Sequence, residues 1–406
     1  GPAIEQLQAR FDPRAYRIDV SQAPLMRAFV AYDAACDKWI LLLLTHHLSG
    51  DHTTLELLEA ELQAHLSGSM ATLPQQLPFR NFVAQARQGV SRAEHETFFR
   101  TMLGDVDEPT MPFGLNDSRG EGRSIGQVTR DLDAALSASL RTQARRLGVS
   151  VASLCHLAWG LVLARVSGRD DVVFGTVLFG RMQSGEGSDR AMGPFINTLP
   201  MRLQIDDVTV EAGVRRTHAL LAELLHHEHA SLALAQRCSA VAAPVPLFTA
   251  LLNYRHSQAS SKASRQSLWA SLGMEEFLGE ERTNYPFGLS IDDWGNALSF
   301  TVRVDDALDP KRIIDFAQST LQRIVHVLEI DAGTTLNEIG VLPEPERQLV
   351  VETWNATDAP YPVDRLVHEW FEAQAAKTPD AIALVQDEAS LTYAELNAQA
   401  NRLAHY

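Results

Sequence analysis

Two adjacent histidines followed closely by an aspartate are the residues of this sequence best suited to chemistry. His46, His47 and Asp51 come directly after an apolar run. That run, Trp39 to Leu44, predicts a β-strand buried on both faces, and a helical pattern begins near Thr54. Loops at strand ends commonly present catalytic groups. Because an imidazole exchanges protons near neutral pH, a positioned histidine here could act as a general base.

The same residues have structural interpretations that their spacing leaves open. A carboxylate just ahead of a helix, as at Asp51, caps amide groups and suits the helix dipole. Thr53 and Glu56 have the spacing of a capping box. Adjacent side chains on a strand point to opposite faces, so only one of the two histidines would face a cavity if the strand continued. No metal site is expected, because no cluster of further ligands lies nearby.

The other histidine group and the cysteines favour structural roles. His226, His227 and His229 lie at a predicted helix end, where imidazole groups interact favourably with the C-terminal dipole. The three cysteines are widely spaced without a CxxC pair, which indicates neither a disulfide framework nor a zinc site, and each is expected to be a small buried residue: Cys36, Cys155 and Cys238. A reduced, cytoplasmic protein is the resulting expectation.

Composition limits the classes of partner. The 406 residues are 45% hydrophobic and 21% charged, as in an ordinary globular protein rather than a disordered one. A formal net charge of −16 argues against nucleic acid as a partner. The longest apolar run is much too short to cross a bilayer, so no membrane partner is expected.

Strand and helix patterns alternate over most of the chain, which predicts an α/β fold. Strand patterns occur at residues Met26 to Asp33, Lys38 to Thr45, Asp171 to Leu178, Pro246 to Arg255 and Leu298 to Val304. Helical patterns occur at Leu132 to Arg146, Val151 to Val166, Thr209 to Glu228 and Lys311 to Glu329. The helix from Val151 is apolar almost all round and is therefore expected in the core.

The character of the sequence changes near Pro343. Residues 343–365 are rich in prolines, charges and turn formers, which predicts a linker. A new helical pattern, Leu366 to Thr378, then begins what we interpret as a different unit that is cut off at Tyr406. About forty residues rarely bury a sufficient core of their own, so residues 366–406 are expected to be a fragment.

Several motifs in order resemble the condensation-domain family of non-ribosomal peptide synthetases. The family signature is a doubled histidine, three residues, an aspartate and usually a glycine, and here His52 replaces the glycine. Other similar segments are LPFRNFVAQ from Leu77, SGRDDVVFGTVLFGR from Ser167, MGPFINTLPMR from Met192, PLFTALLNYR from Pro246 and NYPFGLSID from Asn284. In the tail, LTYAEL from Leu391 is similar to the first core motif of adenylation domains, which usually follow condensation domains.

The resemblance implies a fold and a domain organisation. The expected fold is a pair of lobes similar to chloramphenicol acetyltransferase, set in a V around a central tunnel. Residues 1–124 would be a partial N-terminal lobe and 125–342 the C-terminal lobe. The first lobe is expected to be incomplete, because family members have many more residues before the histidine motif. Residues 366–406 would be the start of an adenylation domain, too short to be active.

The resemblance also implies roles for individual residues. It makes His47 the catalytic histidine for condensation, with His46 and Asp51 structural. If the donor is epimerised, one or both of His46 and His47 could serve as the base. Arg181 is the candidate partner for Asp51, and a buried pair of this kind would hold the histidine loop. Asn253 and Asn197 are expected to position substrate. For Asn253 the alternative, a hydrogen bond to edge-strand backbone, stays open.

The implied reaction joins a donor acyl or peptidyl thioester to an acceptor aminoacyl thioester. Both substrates are carried on the 4'-phosphopantetheine arms of upstream and downstream carrier proteins, and the domain binds no cofactor of its own. HEHASLALAQR, from His227, and the residues after the histidine pair, DHTT, resemble the dual epimerisation/condensation subtype, which inverts the donor residue from L to D first. The alternatives are an ordinary condensation domain, a coenzyme A-dependent acyltransferase of the same fold, or a degenerate domain that only docks carriers.

Overall fold

The chain forms two compact units, Gly1–Pro343 and Glu344–Tyr406. The computed structural model describes residues 2–12, 15–70, 73, 75–115, 125–181, 187–256, 270, 273–274, 283, 285–360 and 363–406. The predicted boundary between lobes at residue 124, and Asn284 at the start of the last motif, lie outside these residues. The predicted domain limits within the first unit therefore stay predictions.

The first part of the first unit is a β-hairpin with helices. Its elements are α1 (Ala3–Arg10), β1 (Met26–Asp33), β2 (Lys38–Thr45), α2 (His52–Leu66), α3 (Phe79–Gln88) and α4 (Arg92–Leu103). β1 and β2 pair antiparallel from Met26 opposite Thr45 to Asp33 opposite Lys38, so both strand predictions are confirmed. The turn between them places Asp37 at φ 56°, a conformation that aspartate tolerates better than most residues.

The prediction that β2 is buried on both faces is wrong. Trp39 is 74% exposed and Leu41 52% exposed, while Leu42 and Leu44 are only partly covered. In the described part of the chain this two-stranded sheet has only β1 and β2, so one of its faces is left open. An apolar run shows that a strand favours burial; what lies against each face is decided by the tertiary fold.

The second part of the first unit is built on a six-stranded mixed sheet. Its strands are β3 (Ile125–Asp131), β4 (Asp171–Leu178), β5 (Asn197–Gln204), β6 (Ala250–His256), β7 (Phe287–Asp293) and β8 (Leu298–Asp305). The spatial order is β3-β8-β7-β6-β4-β5. β4, β6 and β7 run parallel to one another, and the other pairings are antiparallel. The predicted α/β class is confirmed.

Helices pack on this sheet and form the core with it. They are α5 (Ala134–Leu147), α6 (Val151–Ser167), α7 (Val210–His226), α8 (Leu232–Arg237) and α9 (Pro310–Ile330). α6 is buried along nearly its whole length, as its all-round apolar pattern predicts, with Trp159 fully covered. α5 and α6 end at Gly148 and Gly168, both with φ 65°, which glycine adopts without strain.

The described part of the second unit contains three α-helices and a β-hairpin. Glu344–Gln348 (α10) continues into a π-type turn at Leu349–Thr353, so the first part of the predicted linker is helical. α11 (Val367–Lys377), β9 (Ile382–Gln386), β10 (Ala389–Thr392) and α12 (Tyr393–His405) follow. Within the described ranges, no single helix is long and apolar enough to span a membrane. α5 and α6 reach that length and apolarity only when taken together, and the chain bends by 108° between them.

Candidate active site

Asp51 begins helix α2 and closes its first turn. Its carboxylate accepts hydrogen bonds from the Thr54 backbone N–H at 2.9 Å and from the Thr54 hydroxyl at 3.0 Å. In return the Asp51 N–H donates to the Thr54 hydroxyl oxygen at 3.3 Å. The capping box is therefore made by Asp51 and Thr54, and the predicted box of Thr53 and Glu56 is wrong. The helix begins earlier than the apolar pattern indicates, since capping chemistry rather than apolar spacing sets its first residue.

The two histidines lie in the turn between β2 and α2. The strand ends at Thr45, and the His46 N–H donates to the Leu25 carbonyl at 3.0 Å. His46 Nδ1 accepts from the Leu48 N–H at 3.1 Å, so its ring is engaged by its own turn. His46 is partly buried, whereas His47 is exposed. This arrangement leaves the His47 ring accessible from solvent.

Arg181 lies against Asp51, as the resemblance led us to expect. One guanidinium nitrogen, Nη2, is 2.8 Å and 3.0 Å from the two Asp51 carboxylate oxygens. Both side chains are shielded, with exposures of 10% for Arg181 and 1% for Asp51. A buried ion pair of this kind is strongly destabilised when one partner is removed, because the other charge is left without compensation.

The other side of the Arg181 guanidinium holds the loop that precedes β5. Nη1 donates to the carbonyls of Ser188 and of Ala191, the latter at 2.9 Å. The guanidinium carbon lies 4.0 Å from the centre of the Phe195 ring, a cation–π contact. Gly180, directly before Arg181, has φ 64°, and a Cβ there would overlap the Phe195 carbonyl. Glycine at this position permits the close approach of the two backbones.

The same loop reaches back to the start of α2. The Phe195 N–H donates to Asp51 at 3.3 Å. The Gly193 N–H donates to the Thr54 hydroxyl oxygen at 3.1 Å. The Gly193 carbonyl lies 3.1 Å from the same oxygen and shares its one hydrogen with the Asp51 carboxylate. The histidine turn is thus attached to the sheet by Asp51 and Thr54 together. Thr54 was missed by the sequence prediction; its place three residues after a capping aspartate was the available signal.

The two asparagines have different surroundings. Asn197, the first residue of β5, donates to the carbonyls of Glu228 at 2.8 Å and Ala230 at 2.6 Å, and its oxygen accepts from the Thr198 N–H. Its amide is therefore occupied in holding the turn after α7. Asn253 Oδ1, in β6, is buried and has no hydrogen-bond partner among the described residues. The predicted substrate contacts of both stay predictions.

A second pair of histidines lies between α4 and the end of α7. His95 Nδ1 and His227 Nδ1 are 2.8 Å apart, and both residues are buried. Burial lowers the pKa of each imidazole, so the pair is held neutral with one ring donating to the other. His226 pairs with Glu94 instead, at 3.3 Å. The predicted dipole role therefore fits His226, the last residue of α7, better than His227, whose partner lies in another helix.

His156 is a buried histidine that the sequence prediction did not single out. Its Nε2 is 2.8 Å from the Thr176 hydroxyl and its Nδ1 is 2.7 Å from the Ala152 carbonyl. Burial lowers its pKa to about 4, so the ring is neutral at physiological pH. It ties α6 to β4 and is far from water. An all-round apolar helix with one histidine is the sequence signal for such a residue.

The three cysteines differ in their burial. Cys155 and Cys238 are buried, but Cys36 is exposed in the hairpin turn, so the burial predicted for Cys36 is wrong. All three are free thiols. Across the described ranges, no group of three or more histidine, cysteine, aspartate or glutamate side chains is arranged to hold a metal ion.

The fold and this histidine turn define an α/β protein of the chloramphenicol-acetyltransferase type. A family model described as "Condensation domain" matches residues 3–351, and the chain belongs to the condensation-domain family of non-ribosomal peptide synthetases. Malpinin synthetase and malpibaldin synthetase of Mortierella alpina are 49% and 47% identical to it over 100% and 99% of this chain. A linear gramicidin synthase of Brevibacillus parabrevis is 30% identical over 97% of the chain. The chain spans only 5%, 7% and 8% of these three relatives.

Solved structures share the fold at low sequence identity. The holo form of AB3403, a four-domain nonribosomal peptide synthetase bound to AMP and glycine, superposes with a TM-score of 0.70 at 15% identity, covering 100% of this chain and 32% of that one. The first condensation domain of the calcium-dependent antibiotic synthetase, in complex with a substrate analogue, superposes with a TM-score of 0.59 at 16% identity. That alignment covers 84% of this chain and 76% of the other. The predicted fold class is confirmed.

Proposed function

We propose that this chain joins a donor acyl or peptidyl thioester to the amino group of an acceptor aminoacyl thioester. Both substrates are carried on the 4'-phosphopantetheine arms of carrier proteins, one upstream and one downstream. The observation that carries the proposal is the exposed His47 ring on a turn that the buried Asp51–Arg181 pair fixes to the sheet. A site that holds a proton-transfer group in one place lowers the barrier by positioning it.

His47 handles the proton of the attacking amine. The amine nitrogen attacks the thioester carbonyl carbon, the C–N bond forms, and the C–S bond breaks. The proton leaves the nitrogen, is held by the His47 imidazole and passes to the departing thiolate, so that the reaction is balanced without a cofactor. His46, whose Nδ1 is engaged by Leu48, and Asp51 keep the turn in shape.

A condensation assay with loaded donor and acceptor carriers tests this function. His47→Ala is expected to lower the rate by about 10²–10⁴-fold, the range for losing a positioned acid or base. His65→Ala, an exposed histidine on α2, is the matched control and is expected to leave the rate unchanged. Product formation by His47→Ala at the rate of the control would remove the catalytic assignment.

We further propose that the donor residue is epimerised before condensation. The sequence support is the variant segment from His227 to Arg237 and the residues Asp51 to Thr54 after the histidine pair. In this step the proton on the donor Cα, which lies next to the thioester, is removed and returned on the opposite side. His46 and His47 are the candidate bases. Chiral analysis of the product from an L-loaded donor tests it: a D residue is expected, and retained L stereochemistry would leave an ordinary condensation domain.

The second unit, Glu344–Tyr406, is proposed as a linker (343–365) and the start of an adenylation domain (366–406). Its support is the LTYAEL motif and the separation of the chain into compact units after Pro343.

A coenzyme A-dependent acyltransferase of the same fold is the alternative enzyme. Offering acyl-coenzyme A and acyl-carrier donors in parallel discriminates the two, because the alternative requires turnover of the coenzyme A donor.

A further inference from the structure

A small apolar cluster lies beside the Asp51–Arg181 pair and is separate from the main core. Its buried members are Phe82, Ala191 and Phe195, and Leu77 and Phe79 pack against them. Ala191 and Phe195 belong to the loop that precedes β5, whereas the others belong to α3 or to the residues leading into it. The cluster therefore joins α3 to the loop that Arg181 holds. It also gives a structural partner to the LPFRNFVAQ segment, which takes no part in the reaction described above.

Phe195 contacts both partners of the ion pair. Its backbone N–H donates to the Asp51 carboxylate at 3.3 Å. Its ring lies under the Arg181 guanidinium, with 4.0 Å between the guanidinium carbon and the centre of the ring. Because both contacts come from one residue, a shift of Phe195 would disturb the carboxylate and the guanidinium together. Phe195 is thus placed to align the two charged groups with each other.

The Phe195 ring covers a part of the guanidinium that hydrogen bonds leave open. Nη2 of Arg181 donates to Asp51 and Nη1 to the Ala191 carbonyl. The buried Nε has no hydrogen-bond acceptor in the part of the chain that the structure describes. An aromatic face attracts a guanidinium electrostatically, and the attraction is stronger where water is excluded. The ring therefore stabilises the cation on the side where a hydrogen bond is missing.

Helix α3 sets the plane of the Phe195 ring. The rings of Phe79 and Phe82 are tilted steeply to it, at interplanar angles of 81° and 61°, with centroids 4.9 Å and 5.2 Å away. Phe79 also lies close to the loop backbone, since a Cβ added at Gly193 would come within 2.3 Å of its ring. Aromatic pairs favour edge-to-face arrangements of this kind. The two α3 rings therefore hold the Phe195 ring in the orientation in which it meets Arg181.

We propose that Phe195 is a positioning residue for the proposed reaction and that α3 influences the rate through it. The two α3 rings hold the Phe195 ring, which directs the Arg181 guanidinium toward Asp51. Asp51 in turn fixes the turn that carries His47. Phe195 acts through Arg181 and not on a substrate. This inference rests on the proposed function, since the rate concerned is that of amide formation.

Fluorination of the Phe195 ring tests the proposal while nearly preserving the shape of the side chain. Mono-, di- and trifluorinated phenylalanine replace Phe195 in the full chain and weaken the attraction between ring face and cation step by step. In the condensation assay kcat is expected to fall along this series, about fivefold in total, with KM nearly unchanged. A purely steric role would leave kcat constant. The same series at Phe287, whose ring stacks on Trp159 in the core, is the control and is expected to keep the wild-type rate.

A second readout of the same series does not depend on activity. Exchange of the Arg181 guanidinium protons with water is followed by NMR, and the signals are assigned by their loss in Arg181→Lys. Exchange is expected to accelerate along the Phe195 series as kcat falls. Unchanged exchange, or faster exchange at constant kcat, overturns the positioning role. If exchange accelerates but wild-type protein forms no product, Phe195 still holds Arg181 and the proposed condensation fails instead.

The contribution of α3 is tested at two neighbouring positions of the helix. Phe82→Leu keeps an apolar side chain but removes the ring that meets Phe195, and it is expected to lower kcat about fivefold. Val83→Ala, at an exposed position of the same helix, is the matched control and is expected to retain the wild-type rate. Thermal unfolding verifies that each variant is folded at the assay temperature. A folded Phe82→Leu protein that is as fast as the Val83→Ala protein would remove α3 from the proposal.

Discussion

Asp51 and Arg181 lie 130 positions apart in the chain and meet through two hydrogen bonds of 2.8 Å and 3.0 Å. Asp51 is the N-cap of α2, and Arg181 follows β4. The pair therefore joins the turn that carries His46 and His47 to the edge of the mixed sheet where its parallel strands end. The turn that carries His47 is thus attached to the sheet through the Asp51–Arg181 pair.

Removing Arg181 is expected to destabilise the protein strongly. Arg181→Ala leaves the Asp51 carboxylate buried without its counter-charge, and the expected loss in the free energy of unfolding is about 3–5 kcal/mol. Arg216→Ala is the matched control, because Arg216 pairs with Asp206 at the surface, where such pairs contribute about 1 kcal/mol or less. Urea unfolding measures both. Similar losses in the two variants would contradict a special role for the buried pair.

Adding a methyl group at Gly180 is expected to disturb the Asp51–Arg181 pair, because Gly180 directly precedes Arg181 and lies against the Phe195 backbone. Gly180→Ala and Gly148→Ala each put alanine at a positive φ, 64° and 65°, which by itself costs about 1–2 kcal/mol. At Gly148 nothing lies within 4 Å of the new Cβ, whereas at Gly180 it meets the Phe195 backbone. We expect Gly180→Ala to lose a further ~1–3 kcal/mol and to reduce turnover, while Gly148→Ala retains it. Equal unfolding free energies for the two variants would argue against a tight contact at Gly180.

Acid is expected to destabilise the core through His156. The pKa of this ring is about 4 when folded, against about 6.5 for an unperturbed histidine. Between these values the unfolded chain binds a proton that the folded chain does not, so stability falls as pH drops from about 6.5 to 4. The loss from this residue is on the order of 3 kcal/mol. His156→Gln, which keeps a polar group near Thr176 without titrating, should show a flatter profile of unfolding free energy against pH; an unchanged slope would contradict the assignment.

The His95–His227 pair is expected to respond to pH in the same direction. Protonating both rings would place two N–H groups against each other at 2.8 Å, so the folded state holds the pair neutral. Burial is the largest influence on both rings and lowers the pKa of each. His226 lowers the pKa of both rings, and His229 lowers that of His95. Glu94 raises the pKa of both rings and Glu223 raises that of His227, but these effects are smaller than that of burial. NMR titration of the imidazole carbons should give both rings a pKa below 6.5. A value above 6.5 for either ring would show that the pair is charged, not neutral.

The sequence predicts local elements well and tertiary surroundings less well. The hairpin strands follow from two apolar runs, and α6 follows from a helix that is apolar all round, because both patterns reflect local geometry. The exposure of Trp39 could not be predicted, since it depends on which elements lie over the hairpin. The apolar spacing places the start of α2 too late, near Thr54, whereas the interpretation of Asp51 as a capping residue is confirmed.

In the candidate site, too, local features could be predicted from the sequence and tertiary contacts could not. His46, His47 and Asp51 are contiguous, so their proximity is visible in the sequence, and the Arg181 contact was expected only through the family resemblance. The bond between Thr54 and Gly193 joins residues 139 positions apart, and His95 and His227 are 132 apart. Nothing in the local pattern of either residue indicates its partner, so contacts of this kind emerge only from the folded chain.

The burial of Asp51 and Arg181 also sets how the site responds to ionic strength. Dissolved ions screen charges that face water and have little effect on a pair from which water is excluded. Added salt should weaken surface pairs such as Arg216–Asp206 while leaving the histidine turn attached. A change of turnover with salt concentration would then report long-range electrostatics between this acidic chain and the proposed substrates, not a loosening of the turn that holds His46 and His47.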